Sequence, residues 1–397
     1  MSRGLVLLFA VAVGQAVASN HLLPPLLGTI RGVFGVSSSV AGLVATASQL
    51  GYAAGLVLLL PLGDLLERRR IVITLALLTA AGLAVAATAP TIGFFLVSCG
   101  VVGLTSVMAQ LLVPFAATLA PEAERGRVVG NVMSGLIVGT LLARTFSGIV
   151  ADAAGWRAVY VLASALMVVQ AVVLFVKLPR LRPAAGLPYH RLLASTAGLG
   201  FGEPVLRRRS FYGLLAFAAF SVLWTTLAFQ LSGPAFGYGE AVIGLFGLAG
   251  AAGAVSASVV GRFTDRGLGH VLTGGGCGLM LLGFLLLWMG RGSLGPLLAG
   301  IVVLDIGASG IQITSQSEIY RMQAEARNRI NSFFMTACFV GAAAGSALAA
   351  FAYGRWGWAG TCTLGALRSL AAAGRWATDA QRPAARRQLH YEAQPPL

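Results

Sequence analysis

The stretch RGRVVGNVMSGLIVGTLLARTFSGIVADAAGW, residues 125–156, has a partner in RNRINSFFMTACFVGAAAGSALAAFAYGRWGW, residues 327–358. Arg125, Arg127, Gly139, Gly155 and Trp156 recur as Arg327, Arg329, Gly341, Gly357 and Trp358, each 202 residues later. Asp64, ahead of Leu65-Leu66-Glu67-Arg68-Arg69-Arg70, recurs 201 residues later as Asp265 ahead of Arg266-Gly267. Nearly everything between these marks is apolar. The chain is therefore one apolar unit written twice in parallel.

Composition sets the class. Hydrophobic residues make up 57% of the chain and charged residues 10%, where a soluble globular protein carries about 25% charged. The apolar runs are roughly 18 to 25 residues long, enough for a helix to cross about 30 Å of hydrocarbon. Glycines inside them favour close helix packing in lipid. The sequence predicts an all-α membrane protein with about twelve spans in two pseudo-symmetric six-helix bundles. The first half gives spans near 4–23, 39–62, 71–89, 92–119, 128–153 and 159–176. The second gives spans near 211–232, 242–260, 271–289, 294–319, 330–353 and 358–373. Met1-Ser2-Arg3 and Ala16-Val17-Ala18 look like parts of a secretory signal. Cleavage would break the symmetry of the halves, so an uncleaved first helix is expected.

The formal net charge is +15, yet its placement argues against a nucleic-acid partner. Arg68-Arg69-Arg70, Arg125 and Arg127, Arg207-Arg208-Arg209, Arg262 and Arg266, and Arg321, Arg327 and Arg329 all follow even-numbered spans. They share one side, which the positive-inside rule makes cytoplasmic, together with both termini. Basic loops there can also touch anionic lipid. The domains read as a bundle over 1–176, a basic linker over 177–209, a second bundle over 210–373 and a polar, disordered tail over 374–397. Cys99, Cys277, Cys338 and Cys362 lie in apolar spans with neither metal-ligand nor disulfide spacing. No phosphate-binding loop is present: Gly198-Leu199-Gly200-Phe201-Gly202 and Gly274-Gly275-Gly276 lack a following Lys-Ser/Thr. No metal or cofactor is implied, and no nucleophile–base pair suggests an enzyme.

The short basic turn after span two, Gly261-Arg262-Phe263-Thr264-Asp265-Arg266-Gly267 after span eight and the parallel duplication together resemble the major facilitator superfamily. Pro121-Glu122-Ala123-Glu124-Arg125-Gly126-Arg127, then Gly135, Gly139 and Gly148, and Gly155-Trp156-Arg157, resemble its bacterial drug:proton antiporter branch. The resemblance covers about residues 1–365. It implies a bacterial inner (plasma) membrane protein, a monomer, that moves a small molecule by alternating access. It also implies that Asp64, Arg68, Arg69, Asp265, Arg266 and Arg125 latch the halves in one state. Physically, a carboxylate at a span end can accept hydrogen bonds from a helix N-terminus and from Arg. Some positions depart from the family pattern. Leu60 and Glu67 replace loop glycines, and Leu65 replaces the loop's Arg. Cys99 stands where span four commonly has Arg. Ala143-Arg144 stands where span five has Gly-Pro.

Arg144 and Asp305 are each buried well inside an apolar run. A charge near the bilayer centre costs about 2.5–3.5 kcal/mol on the lenient scale, so such groups face a cavity or a partner. Arg144 lies about 13 Å and Asp305 about 16 Å from the outer ends of their spans, at 1.5 Å per residue. The two are expected to face a central cavity and pair across the halves, with Asp305 a candidate proton carrier. A static structural pair, or separate water-facing groups, is the alternative. His21 could also titrate, although a His at a helix end more often serves the interface. Gln15, Gln110, Gln230 and Gln312 sit in spans one, four, seven and ten, which line the cavity in the resembled family; interhelical hydrogen bonding is their other use. Trp224 and Phe334 could form an apolar cavity wall or simply pack helices.

The repeat weakens at its end. Arg368 falls inside the twelfth span, which is Ala-rich and marginal. Arg368 can snorkel to the cytoplasmic face. The expected function is proton-coupled efflux of a small amphipathic compound. A proton-coupled metabolite or sugar symporter, and a non-transporting membrane protein or sensor, are the alternatives.

Overall fold

The computed structural model describes residues 2–181, 188–322 and 326–392, with backbone alone at 123, 252, 254, 255, 257, 258, 265 and 380–392. These residues form helices and connecting turns and no strand. Ten helices are long and apolar enough to cross a membrane. One of them, Arg327–Asp379, bends at Gly357 into two passes. The broken helix from Glu240 to Phe263 supplies one more.

The passes are α1 (Arg3–Asn20), α2 (Ser38–Leu58), α3 (Arg68–Ala87), α4 (Ile92–Thr105 with Met108–Leu119), α5 (Arg125–Ala154) and α6 (Trp156–Lys177). The second half holds α7 (Pro204–Leu231), α8 (Glu240–Leu245, a 3-10 turn Phe246–Gly250, then Ala251–Phe263), α9 (Gly269–Met289) and α10 (Leu294–Tyr320). It ends with α11 (327–356) and α12 (358–392). Helix starts carry the caps the sequence offers. Ser2, Ser37 and Thr91 accept from backbone N–H groups three residues on, and Pro204 opens α7, where its missing N–H costs nothing.

The duplication seen in the sequence is structural. Gly155 and Gly357 both take positive φ, +83° and +60°, at the α5–α6 and α11–α12 turns. Trp156 and Trp358 follow them, each buried. Arg125 Nε caps α4 by donating to the Ala117 carbonyl at 3.2 Å, and Arg327 Nε caps α10 by donating to the Tyr320 carbonyl at the same distance. Outward-facing Leu7, Val97, Val169 and Val176 are more than half exposed, as a lipid-facing surface requires.

Two parts of the domain plan change. Arg207-Arg208-Arg209 belongs to the first turns of α7, and the linker itself carries a helix, Tyr189–Gly202. The tail beyond Gly374 is helical and docked, not disordered, up to residue 379. Trp376 stacks on His270 with centroids 5.2 Å apart and donates to its carbonyl. Buried Asp379 accepts from Tyr212 at 2.7 Å and pairs with Arg375. Residues 182–187 of the linker and 393–397 of the tail lie outside the described residues.

Candidate functional site: charges at the seam of the halves

The halves meet at two crossings that obey the 202-residue repeat. At α2–α11, Gly42 is pressed against Ala350. At α5–α8, Gly244 is pressed against Gly148, and each of these two follows or precedes its counterpart by the same spacing. Both crossings lie at the end of the bundle opposite the basic loops. Helices approach this closely only where a residue has little or no side chain.

Arg144 sits at the α5–α8 crossing and is 3% exposed. Its aliphatic stem is held by Gly247, where an added Cβ would fall 2.8 Å from the Arg144 Cβ. The guanidinium lies over the Trp224 ring, Cζ 3.5 Å from the centroid, and 5.9 Å from the Phe220 centroid. Trp224 Nε1 donates to Asp305 Oδ1 at 3.4 Å. Asp305 is 4% exposed on α10 and faces Gly250, where a Cβ would lie 2.8 Å from Oδ2. Three helices of the two halves, α5, α7 and α10, thus meet at one indole, with α8 as a glycine lid. The 3-10 turn brings Gly247 and Gly250 into line, because residues three apart eclipse in that helix.

The expected Arg144–Asp305 pairing takes an indirect form. Both contact Trp224, Arg144 over the ring and Asp305 at Nε1, and the two act on one another through their charges. No acceptor among the described residues takes a hydrogen from the Arg144 guanidinium, and its buried Nε is unpartnered. An unmade buried donor costs about 1–3 kcal/mol, more when charged; the Trp224 ring and the charge of Asp305 offset part of that cost.

A line of aromatic rings leads away from the charges. Phe217, Phe220 and Trp224 share one face of α7, and the line continues to Phe339 and Tyr52. Successive centroids from Trp224 to Tyr52 lie 6.0, 6.5, 5.8 and 4.1 Å apart. Tyr52 accepts from Gln110 Nε2 at 3.4 Å. On α10, Asp305, Ser309 and Gln312 share a face at spacings of four and three. Gln15, Gln110, Phe217, Phe220, Ser309 and Gln312 are all half-buried.

Other predicted residues go elsewhere. Gln230 donates to the Arg291 carbonyl at 2.9 Å and serves as an interhelical tie. Phe334 is fully buried against Gly213 of α7 and is packing, not wall. His21 bonds the Val17 carbonyl at 2.9 Å through Nδ1 and lies within electrostatic reach of Arg144. Gln15 keeps a buried, unpartnered amide nitrogen.

The latch residues divide. Asp64 pairs with Arg68 at 3.8 Å and also feels Arg329 of the other half. Arg68 bonds Gly63 and Thr118, Arg69 bonds the Phe175 carbonyl, and Arg125 caps α4, all within the first half. Arg266 stays over the Phe263 ring of its own helix, 5.5 Å away. The Asp265 side chain lies outside the described residues.

Sequence alone does not single out Phe217, Phe220, Tyr52 or Phe339, because apolar rings in apolar spans carry no contrast. It also passes over Glu318, which Arg208 and Arg209 both hold; Arg209 is 3% exposed and donates to Thr273 as well.

The model for the Major Facilitator Superfamily matches residues 6–345. The chain is 46% identical over 370 residues to the uncharacterized transporter YgaY of Escherichia coli O157:H7, covering 93% of this chain and 94% of that one. It is 35% identical over 379 residues to "Probable transporter SCO4007" of Streptomyces coelicolor, covering 95% and 87%. Among solved structures, an inward-facing, unoccupied bacterial homologue of the human lysosomal transporter Spinster superposes with a TM-score of 0.75 at 13% identity, over 95% of this chain and 97% of that one. The nucleoside transporter NupG gives 0.74 at 14% identity, over 94% and 98%.

Proposed function

Because the chain belongs to the major facilitator superfamily, we propose that this multi-pass membrane transporter carries out proton-coupled efflux of a small amphipathic organic compound by alternating access. One observation carries the reading: a carboxylate and a guanidinium, Asp305 and Arg144, are buried at the seam of the halves in contact with one indole, Trp224. Asp305 is the proton carrier. Its proton affinity depends on how close Arg144 comes, since a guanidinium favours the charged carboxylate. Rocking of the halves moves α5 against α10 and changes that distance. The half-exposed rings of α7 offer an apolar wall, and Gln110 and Gln312 offer hydrogen bonds.

The membrane is the bacterial inner membrane with both termini in the cytoplasm, on the strength of the basic loops. A monomer suffices, since each chain has both halves. Asp64 and Arg329 are the pair that links the halves at the basic end.

A second reading, proton symport, is favoured by the free donors of Arg144. They suit a substrate anion, and an anion beside Asp305 requires Asp305 neutral.

The test is purified protein in liposomes with an imposed proton gradient, screened against a compound panel. Gradient-driven flux supports the reading, and its direction relative to the proton separates efflux from symport. No flux of any compound in either direction would sink both.

A further inference from the structure

We propose that the seam of the two halves holds a binding site for an organic anion with a planar apolar body, of which an aromatic carboxylate is the type case. The inference deepens the second, symport reading and rests on it for the existence of a substrate site. The carboxylate takes the free donors of Arg144, and the ring lies along Phe217 and Phe220.

Four observations converge. Arg144 is a full positive charge at 3% exposure with no hydrogen-bond acceptor among the described residues. A guanidinium presents its donors in a flat fork that matches a carboxylate. Its Cζ lies 3.5 Å from the Trp224 ring centroid, a contact that uses none of its hydrogen-bond donors. The Phe220 ring centroid lies 5.9 Å from the same Cζ, Phe217 follows with centroids 6.5 Å apart, and both rings are half-buried rather than packed away. A planar substrate can stack there at little entropic cost.

Charge decides against a cation. A cationic substrate would reach Asp305 only beside Arg144, and the like charges repel. An anion meets the opposite situation on Arg144, provided Asp305 is neutral. Two carboxylates facing one guanidinium share a proton, as paired carboxylates do. Asp305 takes that proton from solvent and keeps it while the anion is bound. Proton and anion then favour one another's binding, and the linkage is reciprocal. The titratable or charged groups facing Arg144 among the described residues are Asp305 on α10 and His21 on α1. From α7 come Trp224 and Phe220, and from α8 come Gly247 and Gly250.

The test is equilibrium binding to purified full-length protein in nanodiscs, using 2-naphthoate, the neutral 2-naphthamide and the cationic 2-naphthylmethylamine. The wild-type protein is expected to bind the acid at least tenfold more tightly than the amide or amine. Its affinity for the acid should fall as pH rises. Arg144→Gln should bring acid and amide to equal affinity. Asp305→Asn should keep acid binding and lose its pH dependence, whereas His21→Gln should keep both. Equal binding of acid and amide, or preference for the amine, by the wild-type protein overturns the proposal without recourse to any variant. Flux in liposomes distinguishes the two levels. Acid binding without flux of any compound sinks transport alone, and flux of amide and amine without preference for the acid sinks the anion site alone.

Discussion

Arg144 and Ser346 stand at the same point of the two crossings that join the halves, 202 residues apart in the chain. Ser346 closes its crossing with hydroxyl bonds, donating to the Gly42 carbonyl at 3.3 Å and accepting from Thr225 at 3.0 Å. Arg144 places a charge without a hydrogen-bond acceptor among the described residues in the equivalent position, its carbonyl against Gly244 and its guanidinium on Trp224. One crossing is a seal and the other is where chemistry can enter.

Substituting the two should therefore have opposite effects. Ser346→Ala loses hydrogen bonds worth about 1 kcal/mol and should lower the thermal midpoint slightly while preserving flux. Arg144→Ala should lower flux at least tenfold with a smaller change in midpoint than in rate. Parallel thermal unfolding and liposome flux measure both, and retention of flux in Arg144→Ala would refute the assignment.

Asp305→Asn separates movement from coupling. Substrate exchange between equal concentrations should persist, since the amide fills the carboxylate's space below Trp224. Accumulation driven by a proton gradient should disappear. Accumulation that still follows the gradient removes Asp305 from the proton path.

The glycine lid on α8 makes a steric prediction. In Gly247→Ala the new methyl falls 2.8 Å from Arg144 Cβ and 3.1 Å from its Cδ, so Arg144 or α8 must move. Overpacking of this kind costs about 1–3 kcal/mol, and flux should fall with it. Gly261→Ala, further along the same helix, meets nothing within 4 Å and should be neutral or slightly stabilising, by up to about 1 kcal/mol from helix propensity.

Two phenylalanines should separate core from wall. Phe334→Ala empties a fully buried site against Gly213 and should cost about 3–5 kcal/mol without altering which compounds bind. Phe220→Ala, half-buried on the seam, should cost less stability and weaken binding of planar compounds severalfold. Thermal unfolding beside the naphthalene series distinguishes the two patterns.

The repeat, the spans and the two intramembrane charges were legible because each contrasts with an apolar background. Charges, prolines and glycines punctuate such a sequence; its apolar residues look alike. That is why the sequence names Trp224 and Phe334 as possible wall without separating them, and passes over Phe217, Phe220 and Phe339. Pairwise spacing suggested that Arg144 and Asp305 share a depth, but not that both contact one indole. Gln230 illustrates the converse: an amide in the expected span, two turns beyond Trp224, is taken by the Arg291 carbonyl. Side-chain polarity reveals what must be satisfied and not by whom. The tail misled for a related reason. Residues 374–379 are polar on average, yet Trp376 and Asp379 find partners on α9 and α7 that lie more than a hundred residues away.

That docking has a practical bearing on how the protein is handled. Trp376 covers Gly274 and Asp379 receives Tyr212, so residues 376–379, midway along α12, brace the third turn of α7 and the start of α9. A fusion partner or affinity tag spliced in at residue 373 would remove the brace while leaving every membrane pass in place. Such a product should reach the membrane and yet lose its fold at a lower detergent temperature than one tagged after the full chain. A fluorescent fusion at each position, followed by size-exclusion chromatography after heating, would show the difference in a single afternoon's samples.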